Sequence, residues 1–107
     1  FKMEKVIVPM VGRYKCVILS DGENHVFRAD RGEFHADVTK RVKTKEPQLN
    51  EYRVLGGGRV LIDHEKIEVY GYSVDFGHMD KDMVEELVKE YATKEGLQFV
   101  NNTGEGY

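Results

Sequence analysis

The sequence predicts a single-domain α/β sandwich: a mixed β-sheet of about six strands with two α-helices. Three observations carry this expectation. The chain has 107 residues, a length that supports one domain and one modest core. Short β-rich apolar runs recur along it. Two stretches leave the two-residue period of a strand for the spacing of an amphipathic helix.

Met3 to Pro9 and Tyr14 to Ser20 read as strands, built on Val6, Ile7 and Val8 and on Cys16, Val17, Ile18 and Leu19. The breakers Val11-Gly12-Arg13 and Asp21-Gly22-Glu23-Asn24 punctuate them, so the pair has the form of a hairpin. A third run, His25 to Ala29, leads into Asp30-Arg31-Gly32. Phe34, Val38 and Val42 then recur at four-residue intervals among polar neighbours. This is a helical stripe that Pro47 ends, and His35 falls at or near its start. Glu51 to Leu55, Arg59 to Asp63 and Lys66 to Val74 read as further strands, and alternation in the last puts Ile67, Val69, Gly71 and Ser73 on one face. Asp80 is placed to cap a second helix with apolar positions Met83, Val84, Leu87, Val88 and Tyr91, and Gly96 to stop it. Leu97 to Val100 adds a last strand, giving the order βββαβββαβ.

Composition sets limits on function. An apolar share of 40% and a charged share of 33% describe a folded globular chain rather than a disordered one. A formal net charge of −3 argues against nucleic-acid binding, which leaves a basic footprint, so any anion site must be local. Cys16 is the sole cysteine, which excludes an internal disulfide and points to a reducing, cytoplasmic setting. No apolar run approaches the roughly 20 residues of a membrane span, and the N-terminus has neither the basic nor the apolar region of a signal peptide. No membrane partner is expected. His25, His64 and His78 are scattered, with no pair at i, i+4 spacing, so neither a metal nor another cofactor is expected.

Three separated strings hold the residues suited to chemistry: Glu33-Phe34-His35-Ala36-Asp37, Leu55-Gly56-Gly57-Gly58-Arg59 and Tyr70-Gly71-Tyr72-Ser73. His35 titrates near neutral pH and is the first candidate for general-base or nucleophilic work. At a helix start it has free amides beside it, here those of Ala36 and Asp37, and the positive end of the helix favours its neutral form. Read locally, the same residue serves equally as a surface or capping histidine. The glycines between two strand runs permit close backbone approach, and equally a tight hairpin turn. Arg59 adds a planar fork matched to phosphate oxygens. Ser73 has no Gly-x-Ser-x-Gly elbow around it, so it is a donor to phosphate rather than a nucleophile. Lys15, Arg28 and Arg31 are further cations that either join the site or lie solvated at the surface.

In order and spacing these strings resemble the protein histidine phosphatase family, also called the Janus/Ocnus family. The resemblance rests on Phe34-His35-Ala36-Asp37, Leu55 to Arg59, Val69-Tyr70-Gly71-Tyr72-Ser73 and the ending Gly106-Tyr107, and it runs from Tyr14-Lys15 onward. It implies a metal-independent phosphatase acting on phosphohistidine-containing proteins as a monomer, with His35 catalytic. The phosphate site would be formed by Lys15, Arg28, Ala36, Arg59 and Ser73. Arg28 aligns with the family's arginine only if one residue is deleted before His35, with Arg31 as its substitute. Asp75 stands where the family pattern has a small neutral residue, which adds negative charge at the pocket rim unless it faces away. A non-catalytic phosphate-binding adaptor of the same fold is the alternative.

Overall fold

The computed structural model describes residues 3–106; the expected role of Tyr107 in the C-terminal ending lies outside them. Six strands and two α-helices form one α/β domain: β1 (Val6–Ile7), β2 (Gly12–Ser20), β3 (His25–Asp30), α1 (His35–Lys45), a 3₁₀ turn (Pro47–Leu49), β4 (Arg53–Ile62), β5 (Lys66–Gly71), α2 (Lys81–Lys94) and β6 (Gln98–Thr103). The sheet runs β1-β3-β2-β4-β5-β6. It is mixed, because β1 lies parallel to β3 and β6 parallel to β5, whereas the central pairs are antiparallel.

Alternation along β2 shows how the core divides. Cys16 and Ile18 pack with Val60, Val69 and the α2 residues Val84 and Val88. Val17 and Leu19 point the other way, to Val38 and Val42 of α1 and to Leu49. The helices therefore cover opposite faces of the sheet, and β2 and β3 are buried from both sides. The Asp80 carboxylate caps α2 by accepting from the amides of Asp82 and Met83 at 2.9 and 3.1 Å, and Gly96 follows its end at φ +71°. No helix among the described residues is long and apolar enough to cross a membrane.

Four details depart from the sequence expectation. The run Met3 to Pro9 makes no hairpin with β2; only Val6–Ile7 is strand, and it pairs parallel to β3 at the sheet edge. The second is that Gly56-Gly57-Gly58 is not a turn. β4 runs unbroken from Arg53 to Ile62, and the glycines pair with Ile18, Val17 and Cys16 of β2. Third, the buried stripe of α1 is His35, Val38 and Val42, whereas Phe34 is the N-cap and 57% exposed. Finally, β5 stops at Gly71, whose φ of +70° ends the alternation before Ser73.

Arg28, expected at the phosphate site, has another role. It is 1% exposed, and Nε and Nη2 donate to the Glu46 carboxylate at 2.8 and 3.0 Å while the guanidinium also donates to the Phe27 and Glu4 carbonyls. Glu46 caps the C-terminal end of α1, about 16 Å along the helix from His35 by its rise. Arg28 thus ties α1 to the sheet. Glu46→Ala leaves this charge buried and unpaired, so it should destabilise the fold by about 3 kcal/mol, at the low end for a buried pair because Glu46 is partly solvated. A urea unfolding midpoint unchanged by Glu46→Ala would refute that role.

Candidate functional site

The site is built on the bare middle of β4. A Cβ at Gly57 would lie 2.7 Å from His35 Cδ2, 2.9 Å from Ser73 Cβ and 3.1 Å from the Cys16 carbonyl oxygen. His35 and Ser73 therefore meet over a position where only glycine fits. A Cβ at Gly58, on the other face, would meet Met79 Cε and the Tyr70 carbonyl oxygen, each at 2.8 Å. The β4–β5 ladder begins at Arg59–Tyr70. Beyond it the Gly57 amide donates instead to the Gly77 carbonyl at 3.1 Å, which draws the Ser73–Gly77 turn against the sheet.

His35 opens α1, packs its ring onto this floor and is 7% exposed. Its Nε2 lies 2.8 Å from the Gly58 carbonyl oxygen. A carbonyl only accepts, so Nε2 carries the proton and Nδ1 keeps its lone pair. Burial, and then the charges of Lys15 and Arg59, push the His35 pKa below the ordinary value, whereas the Gly58 hydrogen bond and the Asp75 carboxylate pull it up. The net effect is a neutral imidazole with Nδ1 able to take a proton. At the helix start Asp37 accepts from the Phe34 amide at 3.0 Å, and the Asp37 and Val38 amides donate to the Phe34 carbonyl. The His35 and Ala36 amides form no hydrogen bond among the described residues, so they stay open to an anion.

The cations come from the strands beside this floor. Lys15 and Arg59 are cross-strand partners, and Arg59 in turn faces Tyr70. One row on the α1 side of three strands thus carries two positive charges, a two-residue step from Gly57. Ser73 is 1% exposed; its Oγ accepts from the Phe76 amide at 3.0 Å, which leaves the hydroxyl hydrogen free to donate. Tyr72 stacks on His78, the ring centroids 5.0 Å apart.

The structure therefore brings together His35, Ala36, Lys15, Arg59 and Ser73, and leaves out Arg28. Arg31, its substitute, lines a cavity with Lys15 and Arg59. Asp75 is exposed at the rim, and its charge acts on His35. The site also depends on groups that the sequence does not single out: the Gly58 carbonyl that sets the tautomer, and the absent side chain of Gly57. The only signal for either was the glycine run, which a turn would have explained equally well. Cys16 lies beneath the floor, fully buried, and that burial pushes its thiol pKa far up, so it is no nucleophile.

Fold and site together define a small α/β domain that sets one neutral histidine, at a helix N-terminus, under the charges of Lys15 and Arg59. The family model of the Janus/Ocnus family matches residues 10–95, most of the chain, and the protein belongs to that family. None of the curated proteins compared with the chain matches it.

A side chain at Gly57 tests the floor. Gly57→Ala should push His35 and Ser73 off the sheet and cost about 1–3 kcal/mol through overpacking, measured by urea denaturation. A stable Gly57→Ala protein with unchanged His35 ring NMR shifts would contradict the close packing.

Proposed function

We propose that the protein is a metal-independent phosphohistidine phosphatase that hydrolyses the P–N bond of phosphohistidine-containing proteins, with His35 as the catalytic base. The observation that supports this most directly is the tautomer of His35. Its Nε2–H is tied to the Gly58 carbonyl, so Nδ1 is the nitrogen left to act. In this reading Nδ1 takes a proton from water as the water oxygen attacks phosphorus. The P–N bond breaks and its electron pair stays on that nitrogen, so a substrate imidazole already protonated on its other ring nitrogen leaves neutral, and His35 later returns its proton to solvent.

Transfer of a phosphoryl group asks chiefly for positioning and for neutralisation of spread negative charge. Lys15 and Arg59 supply positive charge. The Ser73 hydroxyl and the His35 and Ala36 amides supply donors that need no reorganisation. Membership of the Janus/Ocnus family adds support, because the residues gathered here are those the family resemblance assigns to catalysis and phosphate binding. Asp75 favours a second reading, an adaptor that binds phosphate with little turnover. Its carboxylate opposes an incoming phosphoryl group and draws His35 toward the protonated form.

Phosphate release from a phosphohistidine peptide decides between them. His35→Ala should lower kcat by about 10² to 10⁴, the usual worth of a general base, while the peptide still binds. Equal rates for the two proteins would remove His35 from the mechanism, and binding without hydrolysis by both would establish the adaptor. Rapid quench under turnover should find no phospho-His35; its accumulation would mean that Nδ1 attacks phosphorus itself.

The pH profile carries the sign of the His35 shift. The base is active above its pKa, and that pKa is lowered, so kcat/KM should hold as pH falls through 6.5, the ordinary histidine value, and decline only below it. Lys15→Ala removes a charge that opposes protonation and should move this limb to higher pH. Asp75→Asn removes a charge that favours protonation and should move it lower. Shifts in the opposite directions would show that the limb belongs to another group.

A further inference from the structure

The cations near His35 outnumber what one phosphoryl group requires. A cavity of about 190 Å³ is lined by Arg13, Lys15, Arg31 and Arg59, with Tyr14, Gly32 and Tyr70, in a chain whose net charge is −3. Lys15 and Arg59 bear on His35, and Arg13 and Arg31 line the same cavity as these two. The cavity thus holds two cations that act on the histidine and, beside them, two further arginines. On β2, Arg13 is one two-residue step past Lys15 on the same face, about 7 Å along the strand.

Both arginines are held in place. Arg13 Nη1 donates to the Tyr70 hydroxyl at 3.1 Å, and Arg31 Cζ lies 5.6 Å from the centre of the Tyr14 ring. Neither forms an ion pair among the described residues. The nearest carboxylate in sequence, Asp30, is engaged by Lys45 at 3.0 Å and Arg41 at 3.8 Å, and Asp75 acts on His35. A phosphoryl group brings about two negative charges, which Lys15 and Arg59 match. Two oriented guanidinium groups remain, suited to carboxylate or phosphate oxygens.

We propose that Arg13 and Arg31 form a subsite for a second anionic group on the substrate, a carboxylate or a further phosphoryl group a few residues from the phosphorylated side chain. This rests on the phosphohistidine reading of the His35 site. It makes the cavity a selector of acidic sequence context: the group that reacts is held at His35 with Lys15 and Arg59, and Arg13 and Arg31 fix register.

Three phosphohistidine peptides test it, one with neutral flanks, one with aspartates and one with a phosphoserine. Fluorescence anisotropy is run on the same peptides with a stable phosphonate replacing the reactive phosphoryl group. The anionic peptides should bind the wild-type protein at least about tenfold more tightly than the neutral one, the worth of one charge-assisted contact, and gain in kcat/KM through KM. R13Q should lose part of that preference while keeping its kcat on the neutral peptide, and the double variant R13Q/R31Q should lose the preference altogether. Both residues are exposed at the surface, and R31Q alone, predicted to lose part of the preference, guards against a folding defect. A larger gain for phosphoserine than for aspartate would identify the second group as phosphoryl; the reverse would identify it as carboxylate. Equal affinity for all three peptides, no binding of any, or a preference that survives in R13Q/R31Q overturns the subsite. Selective binding without hydrolysis would leave it standing and overturn the phosphatase reading instead.

Discussion

The bond from the His35 ring to the Gly58 carbonyl depends on the missing side chain of Gly57, and the remainder of the site depends on that bond. It fixes the proton on Nε2 and leaves Nδ1 with its lone pair. With any larger residue at position 57, the ring and the Ser73 turn would compete for the volume of its Cβ. A strand normally loses stability through glycine, having no side chain to pack. Here β2 on one edge and the Gly77 carbonyl on the other hold the bare segment, and α1 and the turn fill the space above it.

The position of α1 follows from its two ends. At the N-terminus His35 occupies a core position, so the same packing that seats Val38 and Val42 on the sheet also seats the histidine. At the C-terminus the buried Arg28–Glu46 pair locks the last turn to β3. A buried ion pair offers little net stability against apolar residues of similar size, but losing one partner is costly. Its consequence here is geometric, because a helix held at both ends presents its first amides in a constant direction.

Charge is sorted with the same economy. The chain is acidic overall, yet Arg13, Lys15, Arg31 and Arg59 share one cavity while Asp30 faces the outer cations of α1. Local concentration of one sign in a chain of the other draws an anion to one place. Burial and two of those cations keep His35 neutral, so the field that would hold an anion also preserves the base form of the histidine.

Much of this was legible in the chain itself. Periodicity and punctuation alone determine two helices, their ends at Pro47 and Gly96, and most strands, because capping, proline and alternation act within a few residues. The order of His35, Arg59 and Ser73 was also readable, since residue identity is a local fact. Tertiary structure decided what depends on distant partners. A glycine run reads alike as turn or strand until β2 pairs with it. Val6–Ile7 has no local signal for choosing β3 over β2, and Gly71 breaks the alternation that would have put Ser73 on the wrong face. Arg28 and Arg31 are three residues apart and chemically identical. Only Glu46, eighteen positions along the chain, determines which is buried as a tie and which reaches the cavity.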